Sequence, residues 1–186
     1  MPAATRNKSG KAGPASKAAV DLHPDSKPEH KTSKANSGDY RDVVVKTDEN
    51  QETSLRKLAA TGPIVVFLVP KANTPGCNRQ YESYTRNYER FTALGVRCFV
   101  LSKDKPEALA RWRAKYQSPV PGLSDPTQNL IGKLKARKPP ANTIRSHFIF
   151  AEGTADKLAE AIPVSPDKSC EIALKSLEEL GIKKKA

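Results

Sequence analysis

The stretch Ile64-Val65-Val66-Phe67-Leu68-Val69-Pro70-Lys71-Ala72-Asn73-Thr74-Pro75-Gly76-Cys77 decides how this chain folds. Its first six residues are apolar at every position, which predicts a central strand buried on both faces. Pro70, Pro75 and Gly76 mark a loop, and a long polar helix is expected to begin near Cys77. A cysteine in a helix's first turn meets unpaired backbone N–H groups and the positive end of the macrodipole, which favour thiolate over thiol. Thiolate is the nucleophile of thiol chemistry, so Cys77 is a candidate reactive residue. The alternative, from the residues alone, is a small buried hydrophobe.

Downstream, Tyr81, Tyr84, Tyr88 and Phe91 fall at spacings of three and four, an aromatic stripe that predicts packing against the sheet. Gly95 ends that helix, and Val96 to Leu101 reads as a second strand. Pro106 sits at a first helical position. Asp125-Pro126 is expected to open another short helix. His147-Phe148-Ile149-Phe150-Ala151 is a third apolar strand, and Glu152-Gly153 turns into a hairpin partner ending near Val164. Ser165-Pro166 is expected to start a final helix with Cys170, Ala173, Leu174 and Leu177 on its apolar face. Upstream, Val43-Val44-Val45 reads as a short strand, and Ser54 as the cap of a helical turn carrying Leu55, Leu58 and Ala59. This order predicts an α/β fold, a mixed central sheet flanked by helices on both faces.

The chain has 186 residues, enough for one domain with a tail. Residues 1–38 contain no aromatic residue and, beyond Met1, only Val20 and Leu22 as large aliphatics. Such a segment cannot offset its ordering entropy by burial and is expected to be a disordered basic tail. It carries Arg6, Lys8, Lys11, Lys17, Lys27, Lys31 and Lys34 against Asp21, Asp25 and Glu29. The folded domain is expected over residues 39–182. A short basic end, 183–186, contains Lys183, Lys184 and Lys185.

Composition narrows the function classes. The net charge of +12 gives salt-sensitive, non-specific attraction to nucleic acid, and no recognition-helix or zinc-finger pattern accompanies it. Three cysteines do not make a fully paired intrachain disulfide scaffold or a four-cysteine zinc site. The longest apolar run is too short to span a membrane, which needs about 20 residues. No N-terminal stretch reads as a secretory signal, and a reducing compartment is the expectation. His23 and His30 lie in the tail, and His147 reads as a structural histidine rather than a metal ligand. No Gly-rich phosphate loop appears, so neither metal nor nucleotide cofactor is implied.

Pro70, Thr74 and Cys77 match the peroxiredoxin active-site pattern position for position: proline, three residues, threonine, two residues, cysteine. The longer stretch from Pro70 to Gln80 resembles the peroxiredoxin Q subgroup, also called bacterioferritin comigratory protein. Ile144-Arg145-Ser146-His147-Phe148-Ile149-Phe150 resembles the strand that supplies this family's active-site arginine, and Leu123-Ser124-Asp125-Pro126 also fits. The wording Arg-Ser-His-Phe-Ile-Phe is most similar to the fungal nuclear thiol peroxidase branch. The resemblance covers most of residues 38–182 and implies a thioredoxin-like fold. The strand–loop–helix with a nucleophile at the helix start agrees with that layout. Thr74 stands where the first cysteine of a C-x-x-C pair would be, so a dithiol oxidoreductase at this loop is excluded.

The resemblance implies a thiol-dependent peroxidase acting on hydrogen peroxide and alkyl hydroperoxides, with Cys77 as the attacking residue. Thr74 would hold the peroxide. Arg145 would favour thiolate and stabilise the leaving oxygen. Pro70 would cover the site and limit water. Gln80, one turn on, would orient the arginine or stand as an exposed helix glutamine. Thioredoxin or another thiol would be the reductant. A monomer is expected, in the nucleus by resemblance to the fungal branch, with the cytoplasm as the alternative.

The match also departs from the subgroup. Its usual resolving cysteine, five residues after the first, is here Glu82, and the usual Phe-Arg-Asp is Tyr84-Thr85-Arg86. A one-cysteine mechanism with an external thiol is therefore expected. Cys98, mid-strand, and Cys170, on an apolar helix face, read as packing residues, with resolution by Cys170 as the second possibility. The competing functional reading is a redox sensor or interaction protein that binds partners or nucleic acid through its basic surface.

Overall fold

The computed structural model describes residues 38–183. The expected tail over 1–38 and basic end over 183–186 lie, except for residues 38 and 183, outside the described residues. The elements run β1 (Val45–Thr47), β2 (Glu52–Thr53), α1 (Leu55–Leu58), β3 (Ile64–Leu68), α2 (Pro75–Arg86), α3 (Tyr88–Ala93), β4 (Arg97–Ser102) and α4 (Pro106–Lys115). They continue as β5 (Gly122–Ser124), α5 (Asn129–Lys133), β6 (Arg137–Lys138), β7 (Asn142–Thr143), β8 (Ser146–Phe150), β9 (Lys157–Ala161) and α6 (Ser169–Glu179).

Seven strands form one mixed sheet in the order β2-β1-β5-β4-β3-β8-β9, and β6 and β7 make a separate two-stranded ribbon. The pairs β3–β4 and β4–β5 are parallel, while β3–β8 and β8–β9 are antiparallel. The central position of β3 explains its unbroken apolar sequence, since both of its faces are covered. Val65 and Phe67 point into a core shared with Tyr81, Tyr84, Trp112 and Leu174, from α2, α4 and α6. Ile64, Val66 and Leu68 point into a second core with Leu55 of α1 and Leu130 and Ile131 of α5. The thioredoxin-like layout with helices on both faces is thus present.

Aromatic packing fixes α2 onto the sheet. The Phe67 and Tyr84 rings stack with centroids 3.9 Å apart, and Tyr81 stacks on Trp112 at 4.2 Å. The expected stripe faces the core, but the helix is not continuous. At Asn87 the backbone leaves helical geometry, and the Asn87 side-chain amide donates to the Ser83 carbonyl at 2.9 Å. A short side chain that bonds its own backbone competes with the helix ladder, and a new helix starts at Tyr88.

Other boundaries shift for similar local reasons. Val43-Val44-Val45 alternates buried and exposed as a strand would, but pairing begins only at Val45, opposite Thr53. Asp125 does not open its helix directly. Its carboxylate reaches forward to accept from the amides of Asn129 at 3.0 Å and Ile131 at 2.9 Å, and α5 begins there. The final helix starts at Ser169 rather than at Pro166, after a turn closed by Ser169 N–H donating to the Ser165 carbonyl. Its apolar face of Cys170, Ala173, Leu174 and Leu177 is buried as expected.

Candidate active site

The loop after β3 delivers Cys77 into the first turn of α2. Thr74 is extended (φ −111°, ψ 154°) and Pro75 takes the first helical position, where its missing N–H costs nothing. The first ladder bond runs from Asn78 N–H to the Thr74 carbonyl at 2.7 Å. The amides of Gly76 and Cys77 come one turn too early for an intrahelical acceptor. Neighbouring elements fasten that loop. Asp104 accepts from the Ala72 amide at 2.7 Å, Trp112 Nε1 donates to Asn78 Oδ1 at 2.9 Å, and Lys115 Nζ to Asn73 Oδ1 at 2.9 Å.

Cys77 is only 1% exposed. Register brings Arg145 to it. Leu68, at the end of β3, pairs with Ser146, at the start of β8, so the residue before β8 lies beside the loop that follows β3. The Arg145 guanidinium donates through Nη2 to Cys77 Sγ at 3.4 Å and through Nη1 to Gln80 Oε1 at 2.6 Å. Gln80 is fully buried, so the exposed-glutamine possibility is corrected. Gly76 makes room for this approach. A Cβ there would meet Arg145 Nη2 at 3.3 Å and Pro166 Cγ at 3.8 Å.

Thr74 and Pro70 are half-buried on the same loop. The Thr74 hydroxyl donates to the Lys71 carbonyl at 3.0 Å, so its lone pairs remain as acceptors. The structure therefore brings Arg145 into direct contact with both Cys77 and Gln80 and places Thr74 in the adjoining turn.

Sequence reasoning missed the layer beneath. Gln80 Nε2 donates to Ser169 Oγ at 3.0 Å, and the same oxygen lies 3.1 Å from His147 Nδ1 and 3.1 Å from the Tyr84 hydroxyl. All of these side chains are buried. Burial pushes the His147 imidazole down to about 4 and the Tyr84 phenol well up, so both are neutral at physiological pH. The available signal was His147 itself, a lone polar residue in an apolar strand, which needs a buried partner.

The remaining cysteines pack in the core. Burial raises the Cys98 thiol well above its ordinary value and pushes Cys170 up to about 11. Cys170 Sγ also donates to the Ser83 carbonyl at 3.6 Å. Among the described residues, no group of three or more His, Cys, Asp or Glu side chains is placed to hold a metal ion.

Residues 38–155 match the AhpC/TSA family. The chain is 35% identical to peroxiredoxin bcp1 of Schizosaccharomyces pombe over 67% of its own length and 65% of that protein's, so it spans just under two thirds of this relative. It is 26% identical to the chloroplastic peroxiredoxin Q of Sedum lineare over 74% of each chain. Among solved structures it resembles the Xanthomonas campestris bacterioferritin comigratory protein, studied for alkyl peroxide reduction. The TM-score is 0.70 with 19% identity, covering 76% of this chain and 93% of that one. The peroxidoxin BcpB of Mycobacterium tuberculosis superimposes equally well, with a TM-score of 0.70 at 20% identity over 74% of this chain and 92% of that one. At these identities the two structures share the fold.

Proposed function

This chain belongs to the AhpC/TSA family, within the peroxiredoxin Q and bacterioferritin comigratory protein subgroup, and we propose that it is a thiol-dependent peroxidase with Cys77 as its nucleophile. The observation that carries the reading is the Arg145 guanidinium 3.4 Å from a sulfur in the first turn of a helix. A permanent cation beside helix-terminal amides offers positive charge and donors to an attacking sulfur and a departing oxygen there.

The chemistry follows from charge movement. The Cys77 thiolate attacks the terminal oxygen of a hydroperoxide. The S–O bond forms, the O–O bond breaks, and the departing alkoxide takes up a proton to leave as alcohol, or as water when the substrate is hydrogen peroxide. Negative charge thus moves from sulfur to the leaving oxygen. Arg145 spans both positions with a planar fork of donors, and the Gly76 and Cys77 amides add to it. Thr74, its own proton committed to Lys71, accepts the peroxide O–H. Gln80 holds Arg145 in place, and Pro70 limits water. An external thiol then condenses with the sulfenic acid, releasing water, and a second thiol displaces Cys77 from the mixed disulfide.

Glu82 at the usual resolving position and the buried thiols of Cys98 and Cys170 favour this one-cysteine cycle. Thioredoxin or a similar dithiol, a monomeric state and nuclear placement extend the same reading and rest on family resemblance. Loose attraction of the basic N-terminal segment to polyanions rests on its charge. The test is peroxide consumption with an added dithiol. The wild-type chain turns over and Cys77→Ser does not, because a serine hydroxyl is not appreciably ionised at neutral pH. Equal turnover by the two would sink the assignment.

A further inference from the structure

Ser169 Oγ joins three elements beneath the reactive sulfur. It meets Gln80 of α2 at 3.0 Å, Tyr84 of α2 at 3.1 Å and His147 of β8 at 3.1 Å, while Ser169 itself opens α6. From Gln80 the bonds run on to Arg145 at 2.6 Å and from Arg145 to Cys77 at 3.4 Å. We propose that Ser169 is a positioning residue for the Cys77 site: its hydroxyl anchors the Gln80 amide, which in turn holds the Arg145 guanidinium against the sulfur. Its kinetic consequence rests on the peroxidase reading; its effect on the thiol rests on geometry alone.

Donor and acceptor bookkeeping leaves Gln80 one arrangement. Arginine has donors and no acceptor, so the amide must turn its oxygen to Arg145 and its NH₂ to Ser169. Ser169 Oγ has two lone pairs and one proton. When Tyr84 donates to the Ser169 carbonyl, 3.3 Å away, Ser169 donates to Tyr84 and accepts from His147 Nδ1–H. When Tyr84 donates to Oγ, Ser169 donates to His147 instead. Both patterns satisfy every partner and both keep the bond from Gln80. Deleting Oγ leaves the Gln80 NH₂ a buried donor without an acceptor and removes the bond that holds the amide in place. An amide that swings away toward another acceptor no longer accepts from Arg145.

The test uses the full-length chain. Ser169→Ala is compared with Ser169→Thr, which keeps the hydroxyl, and with Cys98→Ala, a buried change outside this set of bonds. The readouts are the pH dependence of Cys77 alkylation, followed by mass spectrometry, and peroxide turnover with a dithiol. Ser169→Ala is expected to raise the alkylation midpoint and to lower turnover about tenfold. Ser169→Thr and Cys98→Ala keep the wild-type midpoint. In a Gln80→Met background Ser169→Ala adds nothing, because it acts through Gln80. An unchanged midpoint in Ser169→Ala, an equal shift in Cys98→Ala, or a full shift in the Gln80→Met background overturns the inference. Should Ser169→Ala not accumulate in folded form, Ser169→Cys keeps the side chain's size and replaces the hydroxyl with a weak acceptor. A smaller upward shift is expected there, and no shift overturns the inference. If the wild-type chain shows no peroxide turnover while Ser169→Ala still moves the midpoint, the peroxidase reading fails and the positioning role stands.

Discussion

Leu68 faces Ser146 across the antiparallel β3–β8 pair, and the contact between Arg145 and Cys77 follows from that register. The two reacting partners leave their strands at the same end of the sheet, one going out and one coming in. Strand side chains alternate faces, so a slip of one residue would turn Arg145 away from the loop that carries Cys77. The apolar residues of β3 and β8 are divided between two cores, which holds the register against such a slip.

Arg145→Lys is expected to keep the charge and lose the fork that spans sulfur and Gln80. Arg145→Met loses both. Turnover should fall moderately in the first and by about 10²–10³ in the second, the usual effect of deleting one preorganised donor. The midpoint of Cys77 alkylation against pH should rise more in Arg145→Met than in Arg145→Lys. Wild-type behaviour in Arg145→Met would make the arginine an ordinary neighbour of a cysteine.

Gly76→Ala tests how closely the guanidinium must approach. The new methyl would sit 3.3 Å from Arg145 Nη2, so the guanidinium must give way by a few tenths of an ångström. Alanine is also the better helix former, by up to about 1 kcal/mol. Melting temperature should hold or rise while kcat/KM falls severalfold, and Gly76→Val should fall further. Unaltered kcat/KM in both variants would show that the approach has slack.

Peroxide treatment without reductant should leave a sulfenic acid at Cys77 that a dimedone-type trap captures, with sulfinic acid following at higher dose. The position five residues on is Glu82, which has no sulfur, and burial holds the thiols of Cys98 and Cys170 above their ordinary values. Mass spectrometry of the intact chain distinguishes the products. A stoichiometric disulfide between Cys77 and Cys170 within one turnover would replace the one-cysteine cycle with an intrachain one.

His147 makes stability depend on acidity. Its imidazole is held down to about 4 in the folded chain by burial, against an ordinary value of 6.5. The folded state therefore resists protonation that the unfolded chain accepts. Its contribution is complete above 6.5 and is lost as the pH falls toward 4, by roughly 3 kcal/mol in all. His147→Asn keeps a neutral acceptor near the Nδ1 position and cannot charge. Denaturant midpoints across this window should fall less steeply in His147→Asn, and parallel curves would assign the acid sensitivity elsewhere.

The central frame was legible because it rests on local signals. Five apolar residues in β3, proline at the start of α2 and α4, and the stripe of Tyr81, Tyr84 and Phe91 each carry their structural meaning within a few positions. Cys77 was legible through its place at a helix start and its motif spacing, and Arg145 through the family resemblance of its strand, although only β3–β8 pairing explains why they meet. The three-residue strand β5 offers too little sequence for a period. Its Gly122 is required by α4, since a Cβ there would lie 2.9 Å from Leu109 Cβ, a constraint invisible from the chain alone. Ser169 escaped for the same reason. A serine at a helix start reads as a cap, and only the tertiary fold shows it under Gln80. The break at Asn87 was hidden because the aromatic spacing continues across it in phase.

The outer strands of the seven-stranded sheet bear on how the protein survives concentration. β2 is two residues long, and β9 carries Lys157 and Glu160 along its length, joined at 2.6 Å. Short or charged borders offer a poor template to the backbone of a second molecule. The segment with the makings of a fibril spine, Ile64–Leu68, is clamped between two neighbours in the middle of the sheet. Polymerisation by strand addition therefore requires unfolding first, and the rate at which stored protein forms fibres should track its unfolding rate rather than the encounter rate of native molecules.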